Sequence, residues 1–517
     1  MRVGILELIR PNGRPDGWQH APTHWIARQY ASIVPQAVSV WCRQLGHETF
    51  FATYYGQRDP MALLPADLDV VFIGAYTRAS PLAYALARLY RRAGTLTVLG
   101  GPHAKAFPED ALRFFDVVVG ECDERLVAEI LRGRPRGVRV SSGRPLTDIP
   151  SIEDRLPEIR TASFPWGRPT RYSVIGVLGS VGCPYRCDFC TDWSNPYTAL
   201  PVERLEADLR FVAERFPMVK VAFHDANFAV KFDQVMDAME RVPAASRPGY
   251  LIESTLSVVR GPRLGRLRDT RCWYAAAGIE SWTEYSNKSA RGAAVSGRRK
   301  LEKMLDHFAL LTEEVPIVQA NFIFGIDGDR GDEPVELTRE FIRRAPSVWP
   351  QIAIPTPFSG TPLYDRHRRE GRLLEAMPFA FYYQPYLITV PRHYEPAEYY
   401  DKLALIQGEL TTRQSVAARL SVRPRGLGFI NALRINGIRG FLREYRTIAG
   451  LLRTDAQFRA FHERRSDDLP MFYRRRLNEL LGPYADLLSA EDVMPLLPSA
   501  AESAADETVA ASAYAGT

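Results

Sequence analysis

Gly182-Cys183-Pro184-Tyr185-Arg186-Cys187-Asp188-Phe189-Cys190 places three cysteines at C-x₃-C-x₂-C spacing on one short segment. Three thiolates this close in sequence converge on one site, and a fourth is missing. A 4Fe-4S cluster as a rule takes four protein thiolates, so a cluster held by three leaves one iron open to another ligand. Half of a zinc site is the competing reading. Structural zinc asks for four ligands, usually as two separated pairs, whereas Cys42, Cys122 and Cys272 each stand alone with no paired histidine. The spacing therefore favours a cluster on Cys183, Cys187 and Cys190.

Working outward, the apolar run Tyr172–Leu178 delivers the chain to this loop as a strand would. Four later runs also end on polar residues: Val219–Phe223 before His224-Asp225, Tyr250–Ile252 before Glu253, Ala275–Ile279 before Glu280-Ser281, and Val318–Gly325, which carries Asn321. A fifth, Ile352–Tyr364, contains Pro355, Pro357 and Gly360-Thr361-Pro362. Parallel barrels carry their chemistry at the carboxyl ends of strands, where these groups lie.

The first 135 residues alternate short apolar runs with helix-length segments, the pattern of parallel βαβ units. Leu96–Leu99 runs into Gly100-Gly101-Pro102-His103, and Asp116–Val119 runs into Gly120-Glu121. A glycine pair at a strand end lets a ligand approach the backbone. Residues 136–171 read as a linker rich in Pro, Arg and Ser. Residues 371–480 read as an aromatic segment followed by arginine-rich helices, with Phe381, Tyr382, Tyr383 and Tyr386 either contacting substrate or sealing the barrel edge. Residues 481–517 end in a small-residue, acidic stretch and read as a mostly disordered tail.

At 517 residues the chain is long enough for two to four units at about 150 residues each. Hydrophobic residues make up 46% and charged residues 24%, with no apolar run of about 18 residues. No secretory pattern precedes the first strand, and six cysteines are too few for a disulfide scaffold, so a reducing, cytoplasmic setting is expected. The net charge of +6 permits an acidic substrate or a membrane surface without demanding either, and no nucleic-acid partner is expected.

The cysteine loop, together with the ordered strand ends, resembles the radical S-adenosylmethionine (SAM) superfamily. The resemblance implies a partial (β/α)₆ barrel over residues 172–370, in which SAM chelates the open iron and is cleaved reductively to a 5′-deoxyadenosyl radical. It also implies that Phe189 lies against the adenine, and that Glu280, Asp225 and Asn321 meet polar groups of SAM. Leu99–His103, Phe107-Pro108-Glu109, Asp116–Glu121 and the turn Thr77–Ser80 are similar to the cobalamin-binding domain that precedes many such barrels. That similarity implies an α/β chain: a doubly wound, flavodoxin- or Rossmann-like domain, then the barrel, then a helical region. Thr77, Gly100, Gly101 and Glu121 would line the cobalamin site. The D-x-H-x-x-G motif of the wider cobalamin family is absent, because Asp16, His20 and His24 have the wrong spacing. Three readings of function stay open: cobalamin-dependent methylation of an unactivated carbon, radical cyclisation, rearrangement or oxidation without methyl transfer, and a non-catalytic scaffold. The first two expect an electron donor such as flavodoxin or ferredoxin, and a small-molecule, lipid or peptide substrate.

Overall fold

The computed structural model describes residues 1–14, 24, 27–144, 146–283, 297–422 and 425–497. His20 and Asp16 lie outside the described residues. The apolar runs of the first third become β1 (Arg2–Leu8), β2 (Glu48–Tyr54), β3 (Val70–Ala75), β4 (Leu96–Gly100), β5 (Val117–Val119) and β6 (Val138–Val140). All six are parallel, in the order β2-β1-β3-β4-β5-β6. Both faces are buried, as parallel sheets require. Val3, Ile5, Val70, Phe72 and Val98 pack under the helices Ile33–Gln44 and Glu124–Gly133. Leu6, Leu8, Val71, Ile73 and Leu99 pack on the side of the helix Ser80–Arg92. The order reverses at β1, between β2 and β3, so the crevice that a doubly wound sheet offers a ligand opens at the carboxyl ends of β1 and β3.

One residue breaks the apolar pattern: Glu7, in β1, is only 2% exposed. Its carboxylate accepts the Ser32 backbone N–H at 2.8 Å and the Thr53 hydroxyl at 3.2 Å, which ties the start of the first helix to the sheet. Burial nevertheless pushes its pKa up to about 7, against which those hydrogen bonds pull.

The second sheet contains β7 (Val174–Val177), β10 (Lys220–Phe223), β11 (Tyr250–Ser254), β12 (Cys272–Glu280), β13 (Ile317–Ile323) and β14 (Val348–Ala353). Its order is β14-β13-β12-β11-β10-β7, again all parallel, so each crossover lands beside the strand it left and the sheet curves as a partial barrel. A short antiparallel pair, β8 (Ser180–Val181) with β9 (Thr198–Ala199), lies at the exit of β7. Alternation along the strands separates two faces. Ile175, Val221, Ile252, Ala275, Val318 and Ile352 face the crossover helices and form the core. The inner face carries small residues in register, Gly176 beside Ala222 and Gly278 beside Asn321, together with polar Glu253, Tyr274, Gln319 and Gln351. Glu253 and Gln351 are exposed although they sit on strands paired on both sides or at the sheet's far edge.

Two expectations shift. Residues 136–171 are not a bare linker, because they supply β6 and the helix Leu156–Ala162, whose Ile159 and Ala162 are buried. The tail also begins later than residue 481. Residues 482–497 pack on the first domain: Arg88 donates to the Leu487 carbonyl and Asp492, Arg113 donates to the Glu491 and Met494 carbonyls, and the Leu496 N–H donates to Asp110. In the first segment Arg and Pro dilute the apolar positions, and in the second the arginine-to-carbonyl contacts that anchor it leave no sequence signature. Residues 498–517 lie outside the described residues. In the aromatic segment, Phe381, Tyr382 and Tyr386 are buried against Phe107, Phe379 and Tyr473, so they seal a seam between the first domain and the C-terminal helices.

Candidate functional site

The cysteine loop is built at the carboxyl end of β7. The exit is pinned first: the Gly179 N–H and the Ser180 hydroxyl both donate to Asp225, at 3.0 and 2.6 Å. The β8–β9 pair then makes a neck. At Gly182 the neck is so tight that a Cβ would sit 2.2 Å from the Pro196 carbonyl oxygen and 2.7 Å from that of Asn195, and φ is +69°, so only glycine fits. Beyond it the backbone folds on itself through Cys190 N–H to the Cys187 carbonyl and Trp193 N–H to the Cys190 carbonyl, both 3.0 Å. Cys183 and Cys187 are 6% and 3% exposed, and Cys190 and Phe189 are half-buried. Among the described residues no three of His, Cys, Asp and Glu crowd as closely as a single metal ion needs. A cubane cluster takes each thiolate on a different iron and so spreads its ligands wider. Three cysteines on one self-folded loop, with no histidine among them, suit that donor set.

The loop is also fastened to the far edge of the barrel. The Leu363 N–H donates to the Asp188 carbonyl at 2.9 Å, Arg366 pairs with the Asp188 carboxylate at 2.9 Å, and the Trp193 indole N–H donates to the Gly360 carbonyl. β7 and β14 are not paired with each other. These three contacts therefore bridge the gap between the first and last strands.

The predicted SAM contacts fall into two groups. Glu280 and Asn321 come together at the ends of β12 and β13. Glu280 has φ +64° at a register shift, and its carboxylate turns back over Gly278, where a Cβ would lie 2.3 Å from Oε1. Gly278 is in register with Asn321, whose amide oxygen accepts from Gln319 at 2.9 Å. Asp225 belongs elsewhere: both of its oxygens serve the root of the cysteine loop, and burial raises its pKa to about 6. Asp329 is similarly employed, holding the Ser281 hydroxyl and the Gly325 N–H while burial raises it to about 6.

On the first domain, Thr77 is buried at the start of a 3₁₀ turn and its carbonyl accepts from Ser80 at 2.9 Å. Gly100 faces open space, with nothing within 4 Å of an added Cβ, so the strand end is a cradle that a side chain would fill. Gly101 is required by something else: at φ +95° its Cβ would come 3.1 Å from the Ala75 carbonyl oxygen at the end of β3. His103 is fully buried against Tyr84 and Phe379, and burial lowers its pKa to about 3. Glu121 pairs with Lys105 at 2.6 Å, and Lys105 also reaches the Asn195 side chain in the cysteine loop. The strand-end rims of the two sheets thus meet at a lysine. Nothing in the sequence singles out Lys105 or Asn195, whose contact spans 90 residues.

No family model matches the chain. Among curated proteins it is 23% identical over 380 residues to the bacteriochlorophyllide d C-12(1)-methyltransferase of Chlorobaculum tepidum, covering 71% of this chain and 80% of that one. It is 22% identical to the C-8(2)-methyltransferase of the same organism, covering 70% and 82%. It is 26% identical over 293 residues to the hopanoid C-2 methylase of Rhodopseudomonas palustris, covering 53% of each. Among solved structures, the radical S-adenosylmethionine methyltransferase TsrM of Kitasatospora setae, with cobalamin and a [4Fe-4S] cluster bound, superposes with a TM-score of 0.52. The identity is 12%, over 87% of this chain and 99% of that one. The same enzyme with tryptophan and a SAM analogue gives 0.50 at 13% identity, over 73% and 77%. These likenesses show the same fold, a doubly wound domain ahead of a barrel with a helical C-terminal region.

Proposed function

We infer that this chain, a radical SAM protein of the subgroup with a cobalamin-binding-like domain ahead of the barrel, methylates an unactivated carbon of a small-molecule substrate. The observation that carries the reading is the meeting of the two rims: the open strand end at Gly100 and the cysteine loop lie on elements joined through Lys105, Glu121 and Asn195. When bound, the cluster with SAM supplies a radical that abstracts hydrogen, and cobalamin supplies a carrier for the methyl group.

The chain's own residues hold and orient. Cys183, Cys187 and Cys190 would ligate three irons, and Phe189, beside them, would lie along the adenine. Glu280 and Asn321, brought together over Gly278, would take the polar end of SAM. Gly100 leaves room for the corrinoid, with Thr77, Gly101 and Glu121 around it. Asp225 acts as a positioning residue for the cysteine loop. An external one-electron donor such as flavodoxin or ferredoxin would reduce the cluster. Among the described residues no helix is long and apolar enough to cross a membrane.

Anaerobic purification with cobalamin supplied tests the reading. The expected result is a corrinoid retained through gel filtration, iron–thiolate absorbance that is lost when any one of the three cysteines is changed to alanine, and S-adenosylhomocysteine formed beside 5′-deoxyadenosine. 5′-Deoxyadenosine alone, with no retained corrinoid, would instead establish radical chemistry without methyl transfer. Intact absorbance in all three cysteine variants would refute the cluster.

A further inference from the structure

Asp327 stands just beyond the carboxyl end of β13, where strand-end chemistry is expected, yet its side chain is only 16% exposed and faces cations of this chain. Arg372 donates to its Oδ1 at 2.8 Å, and the Nε2 of His367 lies 3.9 Å from the same oxygen. Arg366 Nε and Arg392 approach its Oδ2 at 3.4 and 3.7 Å. Its backbone carbonyl is engaged as well, 3.1 Å from the Nε2 of His393. Taking a carboxylate out of water is costly, and ion pairs in such a place return little net stability. What they supply instead is a fixed geometry.

The contacts lead to the cysteine loop. Arg366 is held between two carboxylates, its Nε facing Asp327 and its Nη2 donating to Asp188 at 2.9 Å. Asp188 lies between Cys187 and Phe189, so this pair grips the loop at its middle. Arg366 and His367 are both carried by the helix Pro362–Arg369, whose Leu363 N–H donates to the Asp188 carbonyl at 2.9 Å. That helix is anchored from behind. His367, 2% exposed, meets the Thr389 hydroxyl through Nδ1 at 2.8 Å, and Arg372 donates through Nε to the Val390 carbonyl at 3.0 Å. Asp188 follows β7 and Asp327 follows β13, two strands that the sheet order keeps apart. Arg366 spans that gap.

We propose that Asp327 is a positioning residue for the iron–sulfur site: through Arg366 it sets where Asp188, and with it Cys187, Phe189 and Cys190, stand. This rests on the reading of the three cysteines as cluster ligands. Asp225 fixes the loop at its root, and Asp327 fixes it at its middle. The relay needs a guanidinium, because two different nitrogens face the two carboxylates and a single ammonium lacks that fork.

The test uses the full-length chain, first without iron, with each cysteine followed by iodoacetamide alkylation and mass spectrometry. Cys42 and Cys272, 0% and 3% exposed and outside the loop, report global opening. Asp327→Asn is expected to speed alkylation of Cys187 and Cys190 roughly tenfold, the scale of one charged hydrogen bond, while Cys42 and Cys272 keep their rates. Asp327→Glu, which keeps the charge, should recover part of the protection. Arg366→Lys tests the same relay with Asp327 in place, and should expose the loop at unchanged net charge. In an Arg366→Gln chain, Asp327→Asn should add nothing further. After reconstitution, Asp327→Asn should lose iron to a chelator several-fold faster than the parent. Equal acceleration at all four cysteines would mark a merely structural residue and overturn the proposal. So would an undisturbed loop in Arg366→Lys, or additive effects in the double variant. A chain that shows the loop-specific effect yet never assembles a cluster would refute the radical SAM reading and leave the relay standing. One that assembles the cluster, with loop protection indifferent to Asp327, would do the reverse.

Discussion

At Gly182 the neck of the cysteine loop passes so near the Pro196 carbonyl that any side chain must displace backbone. Gly182→Ala is therefore expected to cost roughly 1–3 kcal/mol and to lower iron bound per chain after reconstitution, measured by iron analysis beside a thermal melt. Glu7 gives a second prediction at this scale. Its ordinary pKa of 4.5 is raised to about 7 in the folded protein. Between those values the folded state keeps a proton that the unfolded chain has released, so stability falls as pH rises across that window. Denaturant titrations of Glu7→Gln should lack this fall, which is on the order of 3 kcal/mol at most. Single residues were also where sequence reading reached least far. Asp225 and Gly101 stand at strand ends, where ligand contacts are expected, yet one serves Gly179 and Ser180 and the other serves Ala75. A carboxylate or a glycine looks the same in sequence whether its partner is a ligand or the chain itself.

Among elements, the cysteine loop joins two strands that the sheet leaves apart. Arg366 and Asp188 form the charged member of that bridge, each partly exposed, so their coupling in a double-mutant cycle should be about 1 kcal/mol or less. The larger effect is expected in kinetics: Arg366→Gln should speed loss of iron–thiolate absorbance in air several-fold, followed by stopped-flow spectroscopy, while thermal stability changes little. Most elements here were readable in advance. Parallel strands buried on both faces give continuous apolar runs, and polar ends follow them in fixed order, so β7, β10, β11, β12 and β13 announce themselves. β6 and the helix Leu156–Ala162 did not, because Arg and Pro dilute the few apolar positions that anchor them. The aromatic cluster at Phe381–Tyr386 was legible as aromatic but not as a seam, since Phe107 and Tyr473 are remote in sequence.

The molecule as a whole is held by contacts between its ends. Residues 482–497 lie across the helix Ser80–Arg92 and the residues near Asp110, and Gly13 N–H donates to the Leu480 carbonyl at 2.6 Å. They fix the first domain against the C-terminal helices, while Lys105 ties it to the cysteine loop. Arg88→Ala with Arg113→Ala should loosen that hold: trypsin is expected to cut within residues 136–171 several-fold faster, with iron–thiolate absorbance unchanged. Unaltered cleavage would show that the aromatic seam alone suffices. The clasp also sets a timetable for biogenesis. A ribosome releases both sheets before it releases residues 482–497, so through the last stretch of translation the rims can meet only through Lys105, with the clasp over Arg88 and Arg113 still to come.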